Sequence, residues 1–290
     1  SSDRRWESNV TPASSDELGT YDQGIMVNDT DRGSSGWSTY SDVITVTNNN
    51  PALQNYALSA DEVLRTSTIV IGANTTDTED AESSHTVAIE YRAPSGDWST
   101  SSLSTPWYNS ATSRWESNFT PPSSLELGEY DLRIKVTDTD GGSSGWNTYS
   151  DVITVNNNLP SVQNYSVNSS VVIRTETIVL RANVTDVEDQ EPEHTLTLQY
   201  NSPSGSWSSA NLSTFWYNSS VGHWETNFTP HSGMETGNYS IRIMSNDTDG
   251  GSSGWNVYSN VFQVANSVIQ ITSYVVSDDE VYRTDTVRIQ

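Results

Sequence analysis

Residues 128–142 read GEYDLRIKVTDTDGG, with Tyr130, Leu132, Ile134 and Val136 alternating against Asp131, Arg133, Lys135 and Thr137. A strand sends successive side chains to opposite faces, so a period of two makes one face apolar and leaves the other wet. The run ends in Asp138-Thr139-Asp140-Gly141-Gly142. Asp bonds its own backbone and Gly accepts positive φ, which is the chemistry of a tight turn. The stretch predicts one half-buried strand closed by an acidic turn.

The same string returns as GTYDQGIMVNDTDRG at 19–33 and GNYSIRIMSNDTDGG at 237–251, a spacing of 109 residues. Trp6, Trp115 and Trp224 keep that spacing in RWESNVTP, RWESNFTP and HWETNFTP. Trp37, Trp146 and Trp255 each close GSSGW, Tyr40, Tyr149 and Tyr258 follow three residues later, and Tyr56, Tyr165 and Tyr274 open the next unit. A long fixed period marks an array of structural units. The expected division is 1–49, the C-terminal part of one repeat; 50–157 and 158–265, two complete repeats; and 266–290, the first strands of a further repeat. The chain is thus read as a window on a longer array.

Other runs alternate in the same way. Ile178, Leu180, Ala182 and Val184 oppose Val179, Arg181 and Asn183; Leu196, Leu198 and Tyr200 oppose Thr195, Thr197 and Gln199; Trp115, Ser117 and Phe119 oppose Glu116 and Asn118. Turn clusters such as APSGDW and NSPSGSW separate them, and no segment sustains a period of 3.6. About seven short strands in roughly 100 residues fit two packed antiparallel sheets. The fold class expected is all-β, a series of immunoglobulin-like β-sandwiches of about 109 residues each.

Composition narrows the function classes. The 290 residues carry a net charge of −24, 13 Lys+Arg against 37 Asp+Glu, no Cys, and only 33% hydrophobic residues. Counterion release on nucleic acid needs a basic face, so nucleic acid is excluded as a partner. Without Cys there are no disulfides, thiolate nucleophiles or thiolate metal sites. No apolar run reaches the roughly 20 residues that cross a bilayer as a helix, so no membrane contact is expected within this segment. Ten Trp and fourteen Tyr set the chain apart from a disordered one, and the regularly recurring rings are expected to fill cores poor in aliphatics.

The three Gly-x-Tyr strings, each a strand ending in an acidic turn, resemble the penultimate-strand signature of PKD-like and fibronectin-III-like immunoglobulin folds. Such domains are strung along surface proteins of archaea and bacteria, among them S-layer proteins, adhesins and extracellular enzymes. The resemblance implies an extracellular, cell-surface setting and an archaeal or bacterial source.

Two carboxylate clusters recur. One is Asp77, Glu79, Asp80 and Glu82, matched by Asp186, Glu188, Asp189 and Glu191; the other is the Asp-x-Asp turn, with Asp29 and Asp31, Asp138 and Asp140, and Asp247 and Asp249. In an immunoglobulin-like topology both loops fall at the pole where the chain enters from its predecessor. The connectors Asn48-Asn49-Asn50-Pro51 and 156–160, NNNLP, add amide and carbonyl oxygens there. Ca²⁺ takes six to eight hard oxygens, so calcium at these junctions is one expectation; turn chemistry and solubility are the other reading of the same residues. His85 and His194 recur just after the acidic loop. With no second His nearby, they are read as hydrogen-bonded strand-entry residues and given no role.

The sequons at Asn28, Asn74, Asn164, Asn168, Asn183, Asn211, Asn218, Asn238 and Asn246 are candidates for N-glycosylation. Asn74, Asn183, Asn28 and Asn246 are expected on outward strand positions. No phosphate loop, serine elbow or paired-His motif is present, and every carboxylate pair is duplicated by the repeat, so no enzyme activity is expected. The leading reading is a structural extracellular stalk, S-layer element or surface filament that associates with other copies of itself. The alternative is an adhesion or carbohydrate-binding array, attached to an extracellular enzyme elsewhere in the protein. There Trp98 with Trp107, and Trp207 with Trp216, would stack on glycans; otherwise these pairs anchor the core.

Overall fold

The computed structural model describes residues 6–277, 279–284 and 286–290. The chain divides into two compact units, Ser1–Asn158 and Leu159–Gln290. The first opens with a two-stranded antiparallel hairpin, β1 (Gly19–Ile25) and β2 (Ser38–Val46). There follow β3 (Ala52–Leu58), β4 (Glu62–Leu64), β5 (Ile69–Thr76), β6 (Thr86–Arg92), β7 (Trp98–Ser99), β8 (Trp107–Asn109), β9 (Arg114–Phe119), β10 (Gly128–Thr137) and β11 (Asn147–Asn156). These nine strands make two sheets, ordered β3-β5-β9-β8 and β4-β11-β10-β6-β7.

The second unit contains β12 (Ser161–Val167), β13 (Val171–Ile173), β14 (Ile178–Thr185), β15 (Thr195–Asn201), β16 (Trp216–Asn218), β17 (His223–Phe228), β18 (Gly237–Asn246) and β19 (Asn256–Ala265). Its sheets are ordered β12-β14-β17-β16 and β13-β19-β18-β15. In each sandwich the leading strand is split between the sheets. β3 and β12 pair antiparallel within one; β4 and β13 cross over and run parallel to β11 and β19 in the other. Two antiparallel sheets closed by this parallel edge are an immunoglobulin-like sandwich.

Over 266–290, where first strands were expected, the described residues form only the bridge between Val276 and Ile289. A lone pairing of this size buries too little apolar surface to hold strands. The β1–β2 hairpin likewise has no opposing sheet among the described residues, and its Tyr21, Ile25 and Tyr40 are exposed.

Alternation places the core as the sequence predicts. Tyr130, Leu132, Ile134 and Val136 are fully buried in β10, as are Leu180 and Ile178's other inward neighbours Ala182 and Val184, nearly so, in β14. The two sheets meet over a triangle of rings that recurs in both units. Tyr91, Phe119 and Tyr130 lie 5.0–6.2 Å apart, and Tyr200, Phe228 and Tyr239 lie 4.9–6.2 Å apart. Phe262 stacks on Tyr239 at 5.5 Å, where the first unit has the smaller Ile153.

The tryptophans depart from expectation. Trp224 is buried, at 8% exposure, and Trp115 packs against its core partly buried. The Trp of GSSGW is not a core residue: Trp37 is 70% exposed, Trp146 36% and Trp255 37%. Trp107 and Trp216, read as possible core anchors, are also exposed. Tyr, Phe and the inward Ile, Leu and Val fill the interior instead; Trp37, Trp146 and Trp255 stand in the turn segment just before β2, β11 and β19.

A bulge interrupts β10 opposite β11, with the register shifting between Tyr130 and Leu132. Asp151 adopts φ +54° there, and its amide donates to Asp131 Oδ1 at 3.0 Å. Asp42 and Asn260 repeat the φ of +54°, held by Asp22 and Ser240. Asp and Asn are the non-glycine residues that best tolerate this left-handed backbone.

Candidate functional site

The Asp-x-Asp turns close on themselves. Asp138 Oδ1 accepts from the amides of Asp140 at 3.0 Å and Gly142 at 2.7 Å, and Asp29 and Asp247 do the same with their own turns. Asp138 Oδ2 accepts from Asn48 Nδ2 at 2.8 Å. Asn49 completes the clamp: its amide and its Nδ2 both donate to Glu79 Oε1, at 3.0 and 2.7 Å. The connector after β2 is therefore bound through amide donors to both acidic loops of the sandwich that follows it. Gly142 is what permits this, since a Cβ there would lie 2.3 Å from Asn48 Nδ2 and 2.8 Å from Asn50 Oδ1.

The two loops also meet each other. Thr139 Oγ1 donates within 2.9 Å of both Asp80 oxygens, and Thr248 Oγ1 donates to Asp189 Oδ1 at 2.9 Å. In the acidic loop, Asp77 Oδ1 accepts from the amides of Glu79 at 2.8 Å and Asp80 at 3.4 Å, and Asp186 repeats this with Glu188 and Asp189. Burial pulls the Asp77 carboxyl upward, but these hydrogen bonds outweigh it and hold the group below the usual Asp range. Asp77 Oδ2 and Glu79 Oε2 are buried without a hydrogen-bond partner. Glu82 and Glu191 head short 3₁₀ turns, Glu82–Ser84 and Glu191–Glu193. Their backbone carbonyls accept the indole N–H of Trp115 and Trp224 at 2.8 and 3.0 Å.

The recurring histidines are more than half of a pattern. Both are buried, both use Nδ1, and both leave Nε2 without a partner. His85 Nδ1 faces Thr75 Oγ1 at 2.8 Å, whereas His194 Nδ1 faces the Glu191 carbonyl at 3.1 Å.

A ladder of indoles and cations covers the outer face of the β10 and β18 sheets. The Arg133 guanidinium lies 4.5 Å from the Trp98 ring and 4.4 Å from Trp146, with Lys135 5.1 Å from Trp146. Arg242 lies 4.8 Å from Trp207 and 4.2 Å from Trp255. Trp98 and Trp207 thus stack on guanidinium groups, while Trp107 and Trp216, on the opposite sheets, keep 37% and 39% of their surface in solvent. The pairs expected from sequence are split between two faces. Alternation alone did not separate them, because β7 and β8 are too short to show a period.

Of the sequons, Asn28, Asn164, Asn168, Asn211 and Asn238 are exposed. Asn74, Asn183, Asn218 and Asn246 are half-buried. Asn183 Nδ2 donates to Gly222 O at 3.0 Å, and Asn218 Nδ2 to Glu225 Oε2 at 3.0 Å.

No protein-family model matches the chain, and no curated protein matches it. Solved structures do. The titin domains Z1Z2, solved in complex with telethonin, are 14% identical, with 77% of this chain and all of that one covered and a TM-score of 0.38. The Escherichia coli adhesin FdeC is 12% identical over 82% of this chain and 73% of its own, with a TM-score of 0.33. The fibronectin(III)-like modules of Clostridium thermocellum CbhA are 12% identical over 74% and 92%, with a TM-score of 0.23.

Proposed function

We propose that the chain is part of a structural extracellular protein, a stalk, S-layer element or surface filament of tandem immunoglobulin-like sandwiches on an archaeal or bacterial surface. The observation that carries this reading is the clamped connector. Asn48 and Asn49 are hydrogen-bonded to Asp138 and Glu79, and Pro51, with its fixed φ, is buried directly after them. A flexible tether between binding modules needs none of this; a stiff rod does. The exposed sequons supply N-glycan sites in the same setting, and the unpartnered Asp77 Oδ2 and Glu79 Oε2 beside the clamp are the oxygens that calcium would take. The partner is further copies of the same array, joined side by side or end to end. Electron microscopy of the native assembly tests the reading: rods, fibres or a lattice are expected, and beads on freely bending tethers would refute it. Mass spectrometry of the native protein tests the glycans.

A second reading, adhesion to glycans, has its own support in Trp107 and Trp216. Each presents an exposed ring at the same place in its sandwich, at the start of β8 and β16. Stacking on a sugar face needs such a ring. Binding on a glycan array, abolished in Trp107→Ala and Trp216→Ala together, would favour it over the stalk.

A further inference from the structure

In the second sandwich, a ring nitrogen of His194 and one carboxylate oxygen each from Asp186 and Asp189 lie within 4.8 Å of one another. We propose that these three residues form a binding site for a divalent transition ion of the zinc type, which would take Asp186 and Asp189 in place of the calcium expected there from sequence and does not rest on the stalk reading.

Each of the three side chains has one atom held and another left over. His194 is 3% exposed; its Nδ1 faces a backbone carbonyl, which only accepts, so Nδ1 donates and Nε2 is the nitrogen left to bind an ion. Asp186 Oδ1 is held by the amides of Glu188 and Asp189, and Asp189 Oδ1 by Thr248 Oγ1. The atoms left over are His194 Nε2, Asp186 Oδ2 and Asp189 Oδ2, all buried and all without a hydrogen-bond partner. Buried polar atoms are nearly always satisfied, and three unsatisfied ones belonging to one cluster point to a missing partner. A water has only two protons to donate and cannot serve three acceptor atoms, whereas a cation is bound by all three together.

The ligand set selects the ion. Ca²⁺ and Mg²⁺ take oxygen, whereas imidazole with carboxylate suits Zn²⁺ and its neighbours. Zinc bonds to nitrogen and oxygen run about 2.0–2.2 Å, so its ligand atoms sit roughly 3.4 Å apart. The ring nitrogen and the two carboxylate oxygens that lie within 4.8 Å of one another need to close by no more than about 1.4 Å, a side-chain adjustment. The carbonyl, the amides and the threonine hydroxyl then serve as the outer shell that orients the ligands. Three protein ligands leave a fourth position for water or a group from another copy.

The first sandwich carries the same residue types at Asp77, Asp80 and His85, but Thr139 engages both oxygens of Asp80 and His85 turns its Nδ1 to Thr75. Threonine is also present in the second sandwich, at 248, where it takes a single Asp189 oxygen and frees the other.

Isothermal titration of the full chain with ZnCl₂ tests the site. One tightly bound equivalent is expected, resisting millimolar Ca²⁺, and at least tenfold weaker in Asp189→Asn and in His194→Gln. The exposed His231 is the control: His231→Ala should bind as the parent does. Circular dichroism reports folding, and if His194→Gln is unfolded then Asp189→Asn, which keeps its volume and its Thr248 partner, decides alone. Unchanged affinity in Asp189→Asn, loss in His231→Ala, or displacement by equimolar Ca²⁺ would each overturn the proposal. A rod seen by microscopy without zinc binding would sink this site and leave the stalk reading standing.

Discussion

The phenol of Tyr239 reaches back four residues to donate a hydrogen bond to the carbonyl of Glu235, at 2.8 Å, from a fully buried ring. Tyr130 does the same to Glu126 at 2.5 Å, and Tyr21 to Glu17 at 2.6 Å. The bond pins the loop entering β10 or β18 to the strand it feeds, the tyrosine corner of immunoglobulin-like sandwiches. Gly128 and Gly237, at φ +127° and +135°, make the sharp entry possible.

Tyr239→Phe should therefore cost about 1 kcal/mol, the net value of one hydrogen bond, without changing the core's shape. Tyr130→Phe carries an alkaline signature as well. Burial, reinforced by the Glu126 charge, pushes the Tyr130 phenol up to about 12. A phenol raised above its unfolded value of about 10 contributes stability that is whole below that pH and lost as pH climbs toward 12. Urea melts between pH 8 and 11.5 should show the parent falling faster than Tyr130→Phe; parallel curves would refute the assignment.

Acid acts on a different bond. Glu225 accepts from Asn218 Nδ2 at 3.0 Å and from Arg181 Nε at 2.7 Å, and these partners hold its carboxyl below the usual Glu range. A depressed carboxyl contributes stability that is present above the unfolded pKa, about 4.3, and lost as pH falls through the lower folded value. Glu225→Gln should be less stable than the parent at pH 7, and the gap should shrink below pH 4. A gap that is constant with pH, measured by denaturant unfolding, would show that the charge contributes nothing.

How much of this was legible in the sequence depends on what each residue's neighbours in the chain reveal. The period of two at 130–136 and 178–184 fixes which side chains point inward, because in a strand the chain itself sets the face. The turns at Asp138 and Asp247 were equally readable, since the hydrogen bonds that close them span only four residues. The outward place of Trp146 was not, because a ring near a turn reads the same whether it enters a core or lies across an arginine on the adjacent strand. His194 was hidden for a related reason. No second histidine stands nearby, and the residues that converge on it do so only after the acidic loop folds over a 3₁₀ turn.

Trp224 and Trp255 separate the two uses of indole within one sandwich. Trp224 is buried, edge-on to Tyr217 at 5.6 Å, with its N–H on the Glu191 carbonyl. Trp224→Ala should cost about 3–5 kcal/mol, the range for emptying a large aromatic site. Trp255 is partly solvated and its contact is the Arg242 cation. Trp255→Ala should cost about 1 kcal/mol, the value of an exposed cation–π pair with a little packing. Equal losses for the two substitutions in chemical denaturation would contradict the burial difference.

Gly142→Ala tests the clamp apart from the sandwich. The new methyl group would meet Asn48 Nδ2 at 2.3 Å, Asp138 Oδ2 at 2.4 Å and Asn50 Oδ1 at 2.8 Å, all ends of side chains. The connector yields more readily than the β10–β11 turn, because its bonds number few and the turn is tied to both strands. The sandwich should keep its stability to within about 1 kcal/mol, as expected where no core contact changes. The connector should not keep its order. Hydrogen exchange at the Asn49 amide, which donates to Glu79, should quicken at least tenfold, and protease cleavage between 48 and 51 should appear. Unchanged protection at Asn49 would mean that the asparagines are not what fastens the connector to the sandwich that follows it.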